Sequence, residues 1–208
     1  LKNMNETRIL PVISKKTPGV FVTERGVTGF GLAQGSAGQI SIRGTGGNPN
    51  NQVLMLIDGH PQFMGIFGHP LPDAYVTSDI EKVEIIRGPA SILYGSNAMG
   101  GVINLITDKQ RQDGFHSSSQ LMYGSHNTQK YATKAGYKKN NFTVMGSFNH
   151  DRTDGHRDSS NFNILNGYLK SSYKLDDNFK LKADVSVTQY ESQDPGRILT
   201  SAGDFIDI

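Results

Sequence analysis

Residues 80–107 read IEKVEIIRGPASILYGSNAMGGVINLIT. Two apolar, β-branched runs, 83–86 and 102–106, flank a stretch dominated by glycine and small residues. β-Branched side chains suit a pleated, packed surface, whereas Gly, Pro, Ser and Asn mark places where a chain turns. The pattern predicts a strand, a tight connection with one helical turn over 90–94, and a second strand. Read only for periodicity, it is a small α+β unit.

Working upstream, residues 40–59 read ISIRGTGGNPNNQVLMLIDG. Their aliphatic run, Val53–Ile57, predicts a third strand of the same core. Before it lie an apolar segment, 9–13, within a helical candidate at 6–16, and the turn residues Pro18-Gly19-Val20. In this order and spacing the blocks closely resemble the plug domain of TonB-dependent outer-membrane receptors. That family closes its plug on a run of the form VEVIRGPASxLYGSNAxGGVINIIT, which Val83 to Thr107 match almost position by position. It also carries IRG followed at this distance by VLVLIDG, matched here by Ile42, Arg43 and Gly44 and by Val53 to Gly59. The resemblance covers residues 7–108.

Composition narrows the function classes. The net charge is +2 over 208 residues, with basic residues spread rather than clustered, so nucleic acid is not an expected partner. Cysteine is absent, which excludes disulfides, thiolate metal sites and cysteine nucleophiles. No apolar run approaches the roughly 20 residues of a membrane helix. That does not speak against a membrane β-barrel, whose signal is alternation. The chain begins at Leu1 without a signal peptide and is expected to be a mature or trimmed fragment.

Beyond residue 110 the grammar changes. Tyr131, Ala135 and Tyr137 alternate with Lys130, Ala132, Lys134 and Lys138; Phe142, Val144 and Phe148 alternate with Thr143, Ser147 and Asn149. The odd positions from Phe179 to Val187 are apolar and oppose Lys180, Lys182, Asp184, Ser186 and Thr188. A period of two held over ten or so residues predicts long strands with one apolar and one polar face. Tight turns at 138–141 and 175–178 alternate with connections at 124–127 and 151–160, as in outer-membrane barrels. About five strands are legible between Phe115 and Tyr190, fewer than the roughly eight a bacterial barrel needs. On alternation alone a soluble antiparallel sheet, serving a binding or signalling module, is the favoured reading, and the plug resemblance upstream reverses that order.

The expected fold is therefore an α+β plug domain, residues 1–108, followed by antiparallel strands of an incomplete transmembrane β-barrel, residues 109–208. The TonB-contacting segment upstream of the plug is expected outside this chain. Gly44 to Gly47 lack the following Gly-Lys-Ser/Thr of a phosphate loop. His156-Arg157-Asp158 with Asn163 mimics a kinase catalytic-loop spacing, but no D-F-G follows. With no catalytic constellation, the chain is expected not to be an enzyme and to need no cofactor.

Two sets of residues remain as site candidates. Arg43 and Arg87 end apolar runs and cannot shed their charge. They pair either inside the plug, with Asp58, Glu81 or Glu84, or with the barrel, as the resemblance implies. The loop after Gly59, HPQFMGIFGHP, carries His60, Gln62, Phe63, Met64, Phe67 and His69. The resemblance places this loop near an outward-facing ligand site. It implies import, coupled through TonB, of a scarce ligand across the outer membrane of a Gram-negative bacterium. An iron–siderophore complex ranks first, with haem or cobalamin as alternatives; membrane lipid is the other partner implied.

Overall fold

The computed structural model describes residues 8–23, 39–46, 52–62, 75–76, 79–156, 158–193, 198–199 and 205–206. The first half runs α1 (Ile9–Lys16), β1 (Val20–Val22), β2 (Ile40–Ile42), β3 (Thr45–Gly46), β4 (Val53–Ile57), β5 (His60–Pro61), β6 (Ile80–Arg87), α2 (Ser91–Tyr94), a 3-10 turn (Ser96–Ala98) and β7 (Gly101–Thr107). The three expected strands share one sheet, in the order β5-β4-β7-β6, with β4 and β7 parallel. A second small sheet has the order β1-β2-β3.

β4 explains its own sequence. Val53 and Met55 pack with Ile9, Leu10, Val12 and Ile13 of α1 and with Val20, Val22, Ile40 and Ile42. Leu54 and Leu56 turn the other way, onto Val102, Ala90 and Ala98. A strand covered on both faces carries no polar alternate, hence the unbroken run VLMLI. α1 begins at Ile9 because Arg8 is held extended, bridged to Val76; Glu6 and Thr7 of the helical candidate lie outside the described residues. Pro11 falls in the first turn, where its missing N–H costs no helical bond.

Asp58-Gly59 joins β4 to β5 as a two-residue turn, with φ of 49° and 87°. Both values lie in the left-handed region that such a hairpin demands and that the Asp-Gly pair tolerates.

The second half is a meander of five antiparallel strands in the order β12-β11-β10-β9-β8: β8 (Gly114–Gly124), β9 (Thr128–Lys139), β10 (Phe142–Thr153), β11 (Phe162–Lys174) and β12 (Lys180–Ser192). Residues 140–141 and 175–179 make the short links at one end; 125–127 and 154–161 connect at the other. Strands β13 (Ile198–Leu199) and β14 (Phe205–Ile206) pair with each other.

The register sorts every side chain in this sheet to one of two faces. The outward face carries Phe115 opposite Tyr137 and Phe142 opposite Tyr173 near the short links. Leu121 lies opposite Tyr131 near the other end, and Leu169 opposite Val185 lies between. These side chains are exposed, Val185 to 60%. An apolar band between aromatic rows is how a barrel meets lipid. The inward face carries Lys130, Lys134, Asn149, Asp151 and Lys170, and the first half of the chain sits on it. In β12, Asp184 lies opposite Lys170 and so belongs to the inward face with Lys180 and Lys182.

Candidate functional site

The seat of the first domain on the strands is built from charges. Arg8, fixed just ahead of α1, places its guanidinium 3.2 Å from the Asp151 carboxylate in β10, with both side chains buried. Lys130, also buried, is the cross-strand neighbour of Asp151. The Arg8 guanidinium also stacks 5.2 Å over the Phe162 ring of β11. Two cations and one carboxylate thus meet where water is excluded, and Asp79 adds a second carboxylate nearby. The Asn149 amide donates to Asp79 at 3.0 Å. Burial pushes the Asp79 carboxyl above its ordinary pKa, and Asn149 with the charges of Lys134 and Lys130 offsets only part of that.

Asp58 makes the second anchor. Its carboxylate accepts from the Thr107 backbone N–H at 3.1 Å, from the Thr107 hydroxyl at 2.5 Å and from the Lys170 ammonium of β11. Lys170 also donates to the Thr107 hydroxyl at 2.9 Å. Burial works against this carboxylate, but the Lys170 and Thr107 hydrogen bonds outweigh it and hold the pKa below the ordinary value.

The linker forms a third anchor. Asp108 pairs with Lys134, Arg111 pairs with Glu81, and Lys138 reaches Asp113 at 3.1 Å and the Arg111 carbonyl at 2.9 Å. Gly136 leaves the notch that the Gln110 side chain occupies; a Cβ there would sit 2.7 Å from the Gln110 Oε1.

The sequence candidates fall elsewhere. Arg43 is exposed, with φ of 52°. The Arg87 guanidinium donates to the Pro18 carbonyl at 3.2 Å, within the first domain. The acids considered as their partners take others: Asp58 takes Lys170, Glu81 takes Arg111 and Glu84 takes Lys82. His60 is exposed beside the Asp58-Gly59 turn, and the Gln62 amide donates to its carbonyl at 3.0 Å. Since Asp58 is held by Lys170, four residues from the end of β11, His60 lies toward the end with the short links. Phe63, Met64, Phe67 and His69 lie outside the described residues.

Sequence reasoning missed Arg8, Asp79, Asp108, Lys134 and Lys170 as anchors. One signal was available: lysines repeated on the polar face of long strands call for opposing carboxylates. Among the described residues, no three metal-ligating side chains cluster and no helix is long and apolar enough to cross a membrane.

Comparison with known proteins gives the same architecture. The TonB-dependent Receptor Plug Domain family matches residues 1–102. The copper transporter OprC superposes with a TM-score of 0.70 at 18% identity, over 86% of this chain and 28% of its own. The siderophore receptor PiuA from Acinetobacter baumannii gives 0.69 at 17% identity, over 91% and 25%. The ferripyoverdine receptor of the outer membrane of Pseudomonas aeruginosa gives 0.73 at 16% identity, over 100% and 27%. The chain spans 25–28% of the length of these three. This chain carries a TonB-dependent receptor plug domain over residues 1–102, and the strands that follow have the fold of an incomplete antiparallel β-barrel.

Proposed function

We propose that this plug and wall belong to a receptor in the outer membrane of a Gram-negative bacterium that imports an iron–siderophore complex, with energy coupled through TonB. The observation that carries the import reading is the chemistry of the seat. Arg8–Asp151, Asp58–Lys170, Asp79–Asn149 and Asp108–Lys134 are ion pairs or hydrogen bonds. Such contacts can be exchanged for water as the plug shifts, whereas an apolar interface of that extent would resist parting. The apolar outer face of β8–β12 would meet lipid. The boundary between plug and barrel falls at residue 108, and the short links face the periplasm.

Siderophore ranks first because structural neighbours such as the siderophore receptor PiuA carry it in their names, with haem and cobalamin as the alternatives. Ligand contact is assigned to the loop that Gln62 enters, with Phe63, Met64, Phe67 and His69; His60 stands at its foot. Arg43, which is exposed, is assigned to contacts with barrel strands beyond β12, whereas Arg87 is held within the plug by the Pro18 carbonyl.

Uptake of radiolabelled ferric siderophores by cells expressing the full-length receptor, with and without TonB, tests the reading. TonB-dependent accumulation, reduced by joint alanine substitution of Phe63, Met64, Phe67 and His69, is expected. Accumulation indifferent to TonB would overturn the import mechanism. Uptake of haem or cobalamin alone would reassign the ligand.

A further inference from the structure

At the end of the sheet away from the short links, two connections are tied together. The first, residues 125–127, places His126 and Asn127 at φ of 56° and 53°, both left-handed and neither glycine. The second follows β10. Asp154 locks one to the other: its N–H donates to the His126 carbonyl at 2.9 Å, and its carboxylate accepts from the Asn127 amide at 3.0 Å. The Thr153 hydroxyl donates to the same His126 carbonyl at 3.2 Å. This crosslink brings the His126 and His156 rings edge to face, with centroids 6.3 Å apart. Both side chains are exposed.

We propose that His126 and His156 form a two-imidazole site for a divalent transition-metal ion, with Cu2+ the strongest binder and Zn2+ and Ni2+ weaker. A metal–nitrogen bond of about 2.0 Å puts the ion about 3.2 Å from each ring centroid, so two imidazoles on one ion stand about 4.5 Å apart when cis and about 6.4 Å when trans. The observed spacing lies at the trans end of that range, and the exposed rings would turn out of their edge-to-face arrangement to aim one nitrogen of each at the ion. Neutral imidazole suits Cu, Ni and Zn, with affinity rising toward Cu2+. Among the described residues no third ligating side chain joins the pair, so water fills the remaining positions. The bound ion would staple the two connections and stiffen this rim of the wall. The site is separate from the plug and does not depend on which ligand the receptor carries.

The test titrates the full-length receptor in detergent with CuCl2 in a non-chelating buffer, followed by calorimetry and electron paramagnetic resonance. His126→Asn keeps a residue that tolerates left-handed φ, and His156→Gln keeps a polar side chain of similar reach. The wild type should bind one more Cu2+ equivalent than either variant, with a two-nitrogen signature, and each substitution should weaken that site more than about tenfold. His116→Gln, in β8 at the opposite end, should leave it intact. Equal Cu2+ stoichiometry and affinity in wild type and variants would overturn the proposal. So would loss on His156→Gln alone, since a single imidazole would then suffice. Hydrogen exchange gives a readout independent of affinity: Cu2+ should protect amides 125–127 and 154–156 together in the wild type, and protection of neither would overturn the staple.

Discussion

The Lys170 ammonium of β11 donates to Oδ2 of Asp58 in the plug, although 112 positions of chain separate the two residues. The pair stands where the Asp-Gly turn of the plug meets the inward face of the wall. It is also where Thr107, the last residue of β7, closes the same carboxylate from the other side. One aspartate thus shapes a hairpin, ends a sheet and clasps plug to wall.

Asp58→Asn should loosen the plug by about 1.5–3 kcal/mol, the range for hydrogen bonds to a charged group. Lys170→Met should cost a similar amount, and the double variant less than the sum, because the two residues are in contact. Chemical unfolding of the full-length receptor, with protease cleavage of the plug as the readout, checks this. Strict additivity would count against the clasp. The folded pKa of Asp58 lies below 3.8, so its contribution is present above pH 3.8 and fades as the pH falls through the lowered value.

Asp79 should behave oppositely. Its pKa is raised above 3.8, so the contribution of this carboxyl favours the fold at low pH and is lost as pH rises from 3.8 through the raised value. Asp79→Asn removes the buried charge and keeps an acceptor for Asn149. At neutral pH the variant should match or exceed the wild type in stability, while at acid pH the wild type should gain on it. A loss at neutral pH comparable to Asp58→Asn would refute this ordering.

The outward and inward faces of β12 give a third contrast. Val185→Arg places a charge in the apolar band and should cost roughly 2–4 kcal/mol at mid-bilayer depth. Lys182→Gln, on the inward face, should be mild. The fraction of folded, heat-modifiable receptor after insertion into lipid vesicles separates them; equal tolerance would argue against a lipid-facing surface.

Two glycines in the plug should differ in cost although both have positive φ. A Cβ at Gly101, where φ is 148°, would lie 2.4 Å from the Ile86 carbonyl oxygen and 2.8 Å from Ile42 Cδ1. At Gly59, where φ is 87°, nothing lies within 4 Å. Gly59→Ala should therefore cost only backbone strain, about 1 kcal/mol. Gly101→Ala must also move β6, and its thermal unfolding midpoint should fall further.

Much of the architecture is local and was therefore legible. The run VLMLI announces a strand of the core, and the alternation around Tyr137, Phe142 and Val185 sorts an apolar strand face from a polar one before any coordinates. Boundaries were less legible. α1 starts at Ile9 rather than at residue 6, because Arg8 is captured by Val76 and Asp151, contacts that helix propensity does not register.

The site itself was only half written in the chain. The sequence alone determines that Lys130 and Lys134 share a polar strand face and that Asp58 follows an apolar strand, since period acts over a few residues. Which carboxylate meets which lysine was decided only in the tertiary structure. An ion pair leaves no periodic trace in sequence, and a side chain such as Arg43 or Arg87 offers its charge to any acid within reach. Packing the plug onto the strands chose Asp58 for Lys170, Asp108 for Lys134 and Arg8 for Asp151, because those are the charges the fold brings into contact and closes off from water.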